Sequence, residues 1–442
     1  MNINIPTNNH TLILTSHGGG GHKAVSTFIE QNEEKQKRNT QVVSAQLLES
    51  STHKVSELLQ NDASDALAKT DNAGTRFFNW CQKNGYSFLI NIMLFLNFIF
   101  EFLFYYRVKY NTLQTLRKYG PSKICVVQPI HIPAIHAAIE EYAKEQDLDY
   151  PIEMEITATD FLSKNTPFWS GIKKLPLVSD YVNVTVKCAD TEGARRLKIK
   201  SAPRINWNMY DSRSFSNFAP CDVSNPTKDR VVFMKTGIKW EDANIEQAKS
   251  LPGISPDQLY TFNKKLSLRP SEKHIVATLG SQGSVSMGAD LVRWFNTSTT
   301  NSDTRHLIIF AGRAYNETVE KISRILPNTQ DMPIPNQLSD DIQEGCAQKQ
   351  FKVNNSVVTV VDFCNSSTIS NQLLKSDLNI IKASGLSVMG ALSGLKTTPA
   401  HAQAASSETL TPAIPIYTGV PIYTANPKKT NKPNHPLPSA GA

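Results

Sequence analysis

Neither a CxxC pair nor a cluster of histidines at metal spacing occurs in the 442 residues. Cys81, Cys125, Cys188, Cys221, Cys346 and Cys364 stand singly, which excludes a zinc ribbon and a small disulfide scaffold and points to a reduced, intracellular setting. A GxGxxG turn with its acidic residue about 20 positions on is missing, as is a GxxxxGK[ST] loop, so a dinucleotide enzyme or P-loop ATPase is disfavoured. Basic residues outnumber acidic ones, 46 to 39, for a net charge of +7. They form no long run and no alternation with aromatics, which argues against nucleic acid and leaves a nucleotide diphosphate or an acidic membrane surface as the anionic partner. The opening "MNINIPTNNH" is polar and "TLILT" is too short for a secretory apolar core, so no leader is expected.

The composition, 40% hydrophobic over this length, is enough for two cores. "TLILTS" reads as a buried strand, residues 23–36 as a helix and "TQVVSAQLL" as a second strand, together a βαβ unit. "KICVVQP", "IEMEITATDF" and "YVNVTVKC" continue the strands, with "HIPAIHAAIEEYAKEQ" as a helix between the first two. Residues 200–230, rich in Ser, Asn and Pro, read as a loop or insertion. A second α/β series follows in "KHIVATLGSQGS", "RHLIIFAGRAYN", "SVVTVVDFC" and "SDLNIIKASGLSVMGAL". The expected division is residues 1–240, residues 241–426 and a disordered tail, 427–442.

Residues 88–106, "FLINIMLFLNFIFEFLFYY", are the most apolar stretch. Asn97 and Glu101 lie four apart and share a helical face. Three readings stand: a helix in the membrane interface, with Phe95, Phe98 and Phe102 on its apolar side; a helix or hairpin packed in the domain; or a span, for which Glu101 is costly.

Three glycine loops end predicted strands, at residues 18–21, 280–284 and 384–387. Such a loop brings backbone N–H groups and a helix N-terminus up to an anion, or simply makes a tight turn. His22 opens a predicted helix, whose positive end favours a neutral imidazole able to take a proton from a hydroxyl; otherwise it bonds only backbone or solvent. Asp160 ends a strand, placed either to orient a hydroxyl or to cap the next turn.

Taken in order, "SHGGGGHKA", "TATDF" with Trp169 beyond it, "GSQGS", "FAGRAYN", "VVDF" and "DLNIIKASGLS" resemble the GT-B glycosyltransferases of the group containing monogalactosyldiacylglycerol synthases and processive diacylglycerol glucosyltransferases. The peptidoglycan lipid-linked N-acetylglucosaminyltransferase is a more distant likeness. The resemblance, over roughly residues 10–425, implies two Rossmann-like domains facing across a cleft, a UDP-sugar donor and no bound metal or other cofactor. It implies His22 as general base and Asp160 near the acceptor, with Gly20, Gly21 and Trp169 on that side. It implies donor contacts from Gly280, Ser281, Gly283, Ser284, Arg313, Phe363, Lys382, Ser384, Gly385, Leu386 and Ser387.

This sequence departs from the group at Gly390, where a ribose-gripping Glu is expected and where Glu408 is the candidate substitute. It departs again at Asn165, where a His is expected, and the group's closing helices are short or absent. The expected activity is hexosyl transfer from a UDP-sugar to a diacylglycerol-type lipid by a cytoplasmic, peripherally membrane-bound enzyme. The alternatives are a protein or soluble-glycan acceptor, or an inactive binding protein of the same fold. A sugar-nucleotide epimerase would need a carboxylate cluster that the sequence does not offer.

Overall fold

The computed structural model describes residues 10–15, 20–35, 38–44, 73–162, 167–176, 179–188, 206–209, 228–250, 254–327, 346–364, 366–392 and 395. The expected tail, Glu408 and Asn165 all lie outside them.

The first sheet contains β1 (His10–Thr15), β2 (Asn39–Ser44), β3 (Lys123–Val126), β4 (Ile152–Thr157), β5 (Val182–Cys188) and β6 (Asn206–Met209), in the order β2-β1-β3-β4-β5-β6. Every neighbouring pair is parallel. Leu12, Ile13, Leu14, Ile124, Cys125 and Val126 are all buried, because helices cover both faces of a parallel sheet and its inner strands become continuous apolar runs. β6 lies in the stretch expected to be loop and extends the sheet edge. After β1 the chain enters α1 (Gly20–Lys35) and returns at β2 on one side, while β3 lies on the other. Strand order therefore reverses between β1 and β3, which leaves a crevice at their carboxyl ends.

The second sheet contains β7 (Val231–Met234), β8 (Leu259–Thr261), β9 (His274–Thr278), β10 (His306–Phe310), β11 (Gln348–Val353), β12 (Ser356–Val361) and β13 (Leu378–Lys382). The order is β11-β12-β10-β9-β13-β7-β8, parallel except for the β11–β12 hairpin. Asn354 turns that hairpin at φ 56, a left-handed conformation that Asn tolerates. β7 pairs with β13 and β8, so the second sheet starts at Val231, ahead of the expected boundary at residue 240. Here the order reverses between β9 and β13. The sheet is flanked by α5 (Lys239–Lys249), α6 (Val285–Ser298), α7 (Tyr315–Ile325), α8 (Ser366–Lys375) and α9 (Gly385–Leu392); earlier in the chain, α2 (Ala73–Asn84) and α3 (Ser87–Tyr119) connect β2 to β3, with α2 packed on α3 and α6, and α4 (Ile132–Glu145) connects β3 to β4.

The apolar stretch 88–106 forms most of α3, which bends by 65° between its Ser87–Asn97 and Glu101–Tyr119 segments. No single helix among the described residues is long and apolar enough to cross a membrane. Of the three readings, the packed helix describes Glu101, which is buried and whose Oε2 accepts from Lys174 Nζ at 2.8 Å. Val108, Leu113 and Leu116 pack into the first core. Ile90 and Leu94 pack with Cys81 against Ile238 and Trp240 of the second half. Asn91 reinforces that junction, donating to Gly237 O (3.0 Å) and accepting from Lys239 N (3.1 Å). The outer face leaves Phe88, Phe95, Phe102 and Tyr106 more than 70% exposed (72, 74, 78 and 79%). α3 is thus packed on one side and bare aromatic on the other. The side chain of Phe98 lies outside the described residues.

Candidate functional site

His22 sits in the first turn of α1, beside the β1/β3 crevice. Its Nδ1 donates to the backbone carbonyl of Val127, just past β3, at 2.7 Å. A carbonyl only accepts, so the proton resides on Nδ1 and the Nε2 lone pair is left for a ligand. Thr159 Oγ1 stands 3.3 Å from the same Nδ1. Burial lowers the imidazole pKa, against the opposing pull of the Asp160 carboxylate and the bond to Val127, so His22 is neutral at pH 7.

Asp160 follows β4, but the turn it caps is not its own. Its Oδ1 accepts the backbone N–H of Gly385, the first residue of α9 in the other half, at 3.1 Å. A carboxylate at that helix end meets the positive pole of the α9 dipole. The halves touch closely here. A Cβ on Gly385 would lie 2.5 Å from both Asp160 Cα and Thr159 O, and one on Gly21 would lie 3.7 Å from Leu386 Cβ. Gly20 opens α1 immediately before it.

The donor-side residues divide by role. Thr278, Phe310, Val361 and Lys382 end adjacent parallel strands, so the loops at 280–284, 311–313, 362–364 and 383–385 lie along one sheet edge. Gly280, at φ 78, lies beside Lys382, whose Cδ would be 3.6 Å from its Cβ. Gly283 and Gly312 serve a different need, the locking of two loops. A Cβ on Gly283 would lie 1.9 Å from Ala311 O, one on Gly312 would lie 2.5 Å from Ser281 O, and Arg313 N donates to Ser281 O at 3.0 Å. For these two glycines the tight-turn reading holds. Ser284 is buried with its hydroxyl 3.3 Å from that of Ser286, and Ser384 donates to Ser387 at 2.9 Å. Arg313 and Phe363 are exposed at this edge, and Cys346 Sγ lies 2.8 Å from Cys364 Sγ beside Phe363.

Lys382 is 7% exposed. Its Nζ stands 3.9 Å from Glu241 Oε1 and 5.9 Å from the centroid of Trp240. Burial lowers its pKa, while Glu241 and then Asp160 raise it. Glu241, in the first turn of α5, is fixed through Oε2 by the backbone N–H (2.9 Å) and hydroxyl (2.5 Å) of Thr236. Asn244 on the same helix donates to Ala383 O at 2.9 Å, tying α5 to the end of β13.

Trp169, expected at the acceptor, is 1% exposed and belongs to the first core, in one cluster with Ile172 and Leu175. At Gly390 a Cβ would meet only Leu373 Cδ1, at 4.0 Å. Sequence reading missed Thr159, Glu241 and the Val127 carbonyl. An acid in a first helical turn was a visible signal for Glu241; a backbone carbonyl leaves none. Among the described residues no three His, Cys, Asp or Glu side chains gather as a metal site.

No protein-family model matches this chain, and no curated protein matches it. The class that the fold defines is a two-sheet, mostly parallel α/β protein whose halves meet where Asp160, after β4, bonds to Gly385, after β13.

Proposed function

We propose that this chain is a GT-B glycosyltransferase that moves a hexose from a UDP-sugar to a hydroxyl of a diacylglycerol-type lipid at a membrane surface. The observation that carries the reading is the meeting of the two crevices: Asp160 bonds to the N-terminus of α9 while its charge acts on both His22 and Lys382. Ligands of open α/β sheets bind outside the carboxyl ends of strands where their order reverses. Here one reversal offers a neutral imidazole and the other a buried ammonium beside a helix N-terminus. That pairing suits proton removal at an acceptor and charge neutralisation at a leaving group.

In the reaction, His22 Nε2 takes the acceptor hydroxyl proton as the oxygen bonds to the sugar C1. The C1–O bond to the diphosphate breaks, and its electron pair leaves with UDP. Lys382, the Ser387 hydroxyl and the N–H group at Gly280 receive that charge, the Gly385 N–H being held by Asp160 and the Ser384 hydroxyl by Ser387; Phe363 and Arg313, farther along the same edge, flank the base. The bare aromatic face of α3 supports a lipid surface as the acceptor's source, with the protein docked peripherally on the cytoplasmic side. His22→Ala is expected to cut transfer by ~10²–10⁴ with little change in UDP affinity. Full turnover in that variant would remove His22 from the chemistry, and failure of the wild type to float with liposomes, anionic or neutral, would favour a soluble acceptor.

Gly390 favours a second reading, a binding protein that has lost its grip on the ribose. Calorimetry decides: a reading as transferase requires UDP binding below millimolar concentration.

A further inference from the structure

Lys382 and Glu241 form an unusual buried pair. Both are more than nine-tenths buried, yet their charged atoms stand 3.9 Å apart, beyond hydrogen-bond reach. Glu241 is not adjusting to Lys382: Thr236 holds it twice through Oε2, while Oε1 has no hydrogen-bond partner among the described residues. A buried ionic pair is usually closed by direct hydrogen bonds, because desolvation is costly. One left open at the carboxyl edge of the sheet, with the lysine stem beside Gly280 and Gly385 three residues on, has the form of a prepared anion site. Burial works against both charges, lowering the Lys382 pKa and raising that of Glu241, and each opposes the shift of the other, so the ammonium depends on the carboxylate beside it.

We propose that Glu241 is a positioning residue for diphosphate binding: fixed by Thr236, it holds the Lys382 ammonium charged and aimed into the crevice between Gly280 and Gly385. The inference rests on the UDP-sugar reading above and extends it to a residue outside the expected donor contacts. The charges facing Lys382 are Glu241 from α5 and Asp160 from the loop after β4; Asp160 also acts on His22 of α1. Behind Glu241 lies Asp242, which pairs with Lys235 at 2.8 Å. The sign follows from these groups. Burial favours the neutral amine, and Glu241 is the larger of the two carboxylate influences opposing it. Without Glu241 the proton leaves Lys382 at lower pH, and anion binding weakens with it.

The test is calorimetric titration of the full chain with UDP from pH 6 to pH 9 (about 1 mM ligand at most), for wild type, Glu241→Gln, Glu241→Asp and Lys382→Met. Glu241→Gln keeps the shape and can still accept from Thr236. It is expected to match wild type within about threefold at pH 6 and to fall about tenfold behind for each unit by which the pH dependence shifts down. Glu241→Asp recovers part of the loss, and Lys382→Met binds weakly with no step. Thr236→Val, which loosens the carboxylate without removing it, gives an intermediate shift and stands in should Glu241→Gln not fold. UDP binding by the wild type with an identical pH profile in Glu241→Gln overturns the role of Glu241 alone. No UDP binding by the wild type at any pH overturns the diphosphate reading, and this inference with it.

Discussion

Alanine has no room at position 385. An ideal Cβ there would lie 2.5 Å from Asp160 Cα and 2.5 Å from Thr159 O, and both are backbone atoms that cannot swing away. Ordinary carbon contacts need about 3.5–4.0 Å, so α9 and the segment after β4 must part by roughly 1 Å or more. Forced overpacking of this kind costs about 1–3 kcal/mol. The Gly385 N–H bond to the Asp160 carboxylate, 3.1 Å long and bridging the two halves, is stretched or lost in the process. A hydrogen bond to a charged group contributes about 1.5–3 kcal/mol. Gly385→Ala should therefore destabilise the closed arrangement by about 2.5–6 kcal/mol, seen as an earlier urea transition and a larger radius of gyration in solution scattering.

The same change five residues along the helix provides the control. At Gly390 a Cβ meets only Leu373 Cδ1, at 4.0 Å, so alanine fits and should stabilise α9 by about 0.5–1 kcal/mol. Gly21→Ala, with its nearest contacts at 3.7 Å, should leave the transition within about 0.5 kcal/mol of wild type. A Gly385→Ala protein with unchanged unfolding and scattering would refute the close apposition of the two halves and, with it, the shared site.

Arg230 and Glu272, both buried, join through two hydrogen bonds of 2.5 Å; Arg230→Met should cost about 3–5 kcal/mol in urea unfolding by stranding the carboxylate, and adding Glu272→Met should recover most of it. His306 donates or accepts at Thr359 Oγ1 (2.8 Å), and burial, aided by His274, lowers its pKa to about 4. Because the unfolded chain takes up that proton first, near pH 6.5, this part of the stability is whole above pH 6.5 and is lost as pH falls to about 4. His306→Gln should flatten the pH dependence of the urea midpoint over that window, and an unchanged slope would count against the burial argument.

Much of the architecture was legible in local pattern. The runs "TLILT", "KICV", "HIVAT" and "LNIIK" read as short strands, since each has a mostly apolar centre and ends near a glycine or polar turn, and all four are inner parallel strands. His22 and Asp160 were also visible, because one opens a helix and the other ends a strand at a carboxyl edge where ligands collect, while Lys382 was marked only by the resemblance. What local pattern could not separate was the purpose of similar glycines. Gly280 and Gly283 differ by three positions, yet one lies beside Lys382 and the other is pressed against a neighbouring loop.

The sequence by itself determined the two α/β series, their approximate extents and the positions of the polar groups at strand ends, because hydrophobic period and glycine punctuation are local properties. Only the tertiary structure decided which of those groups meet. Asp160 and Gly385 are 225 residues apart in sequence, and no local signal announces that one caps the helix of the other. The sequence leaves Glu101 between an interfacial, a packed and a spanning helix; in the fold it is buried against Lys174, more than 70 residues away, with Phe95 and Phe102 outside. Glu241 gains its place only because α5 is tied to the end of β13, which sets its carboxylate beside a lysine 141 positions later. The physical reason is common to all three: a charge takes its meaning from what desolvates it and what opposes it, and both come from distant parts of the chain.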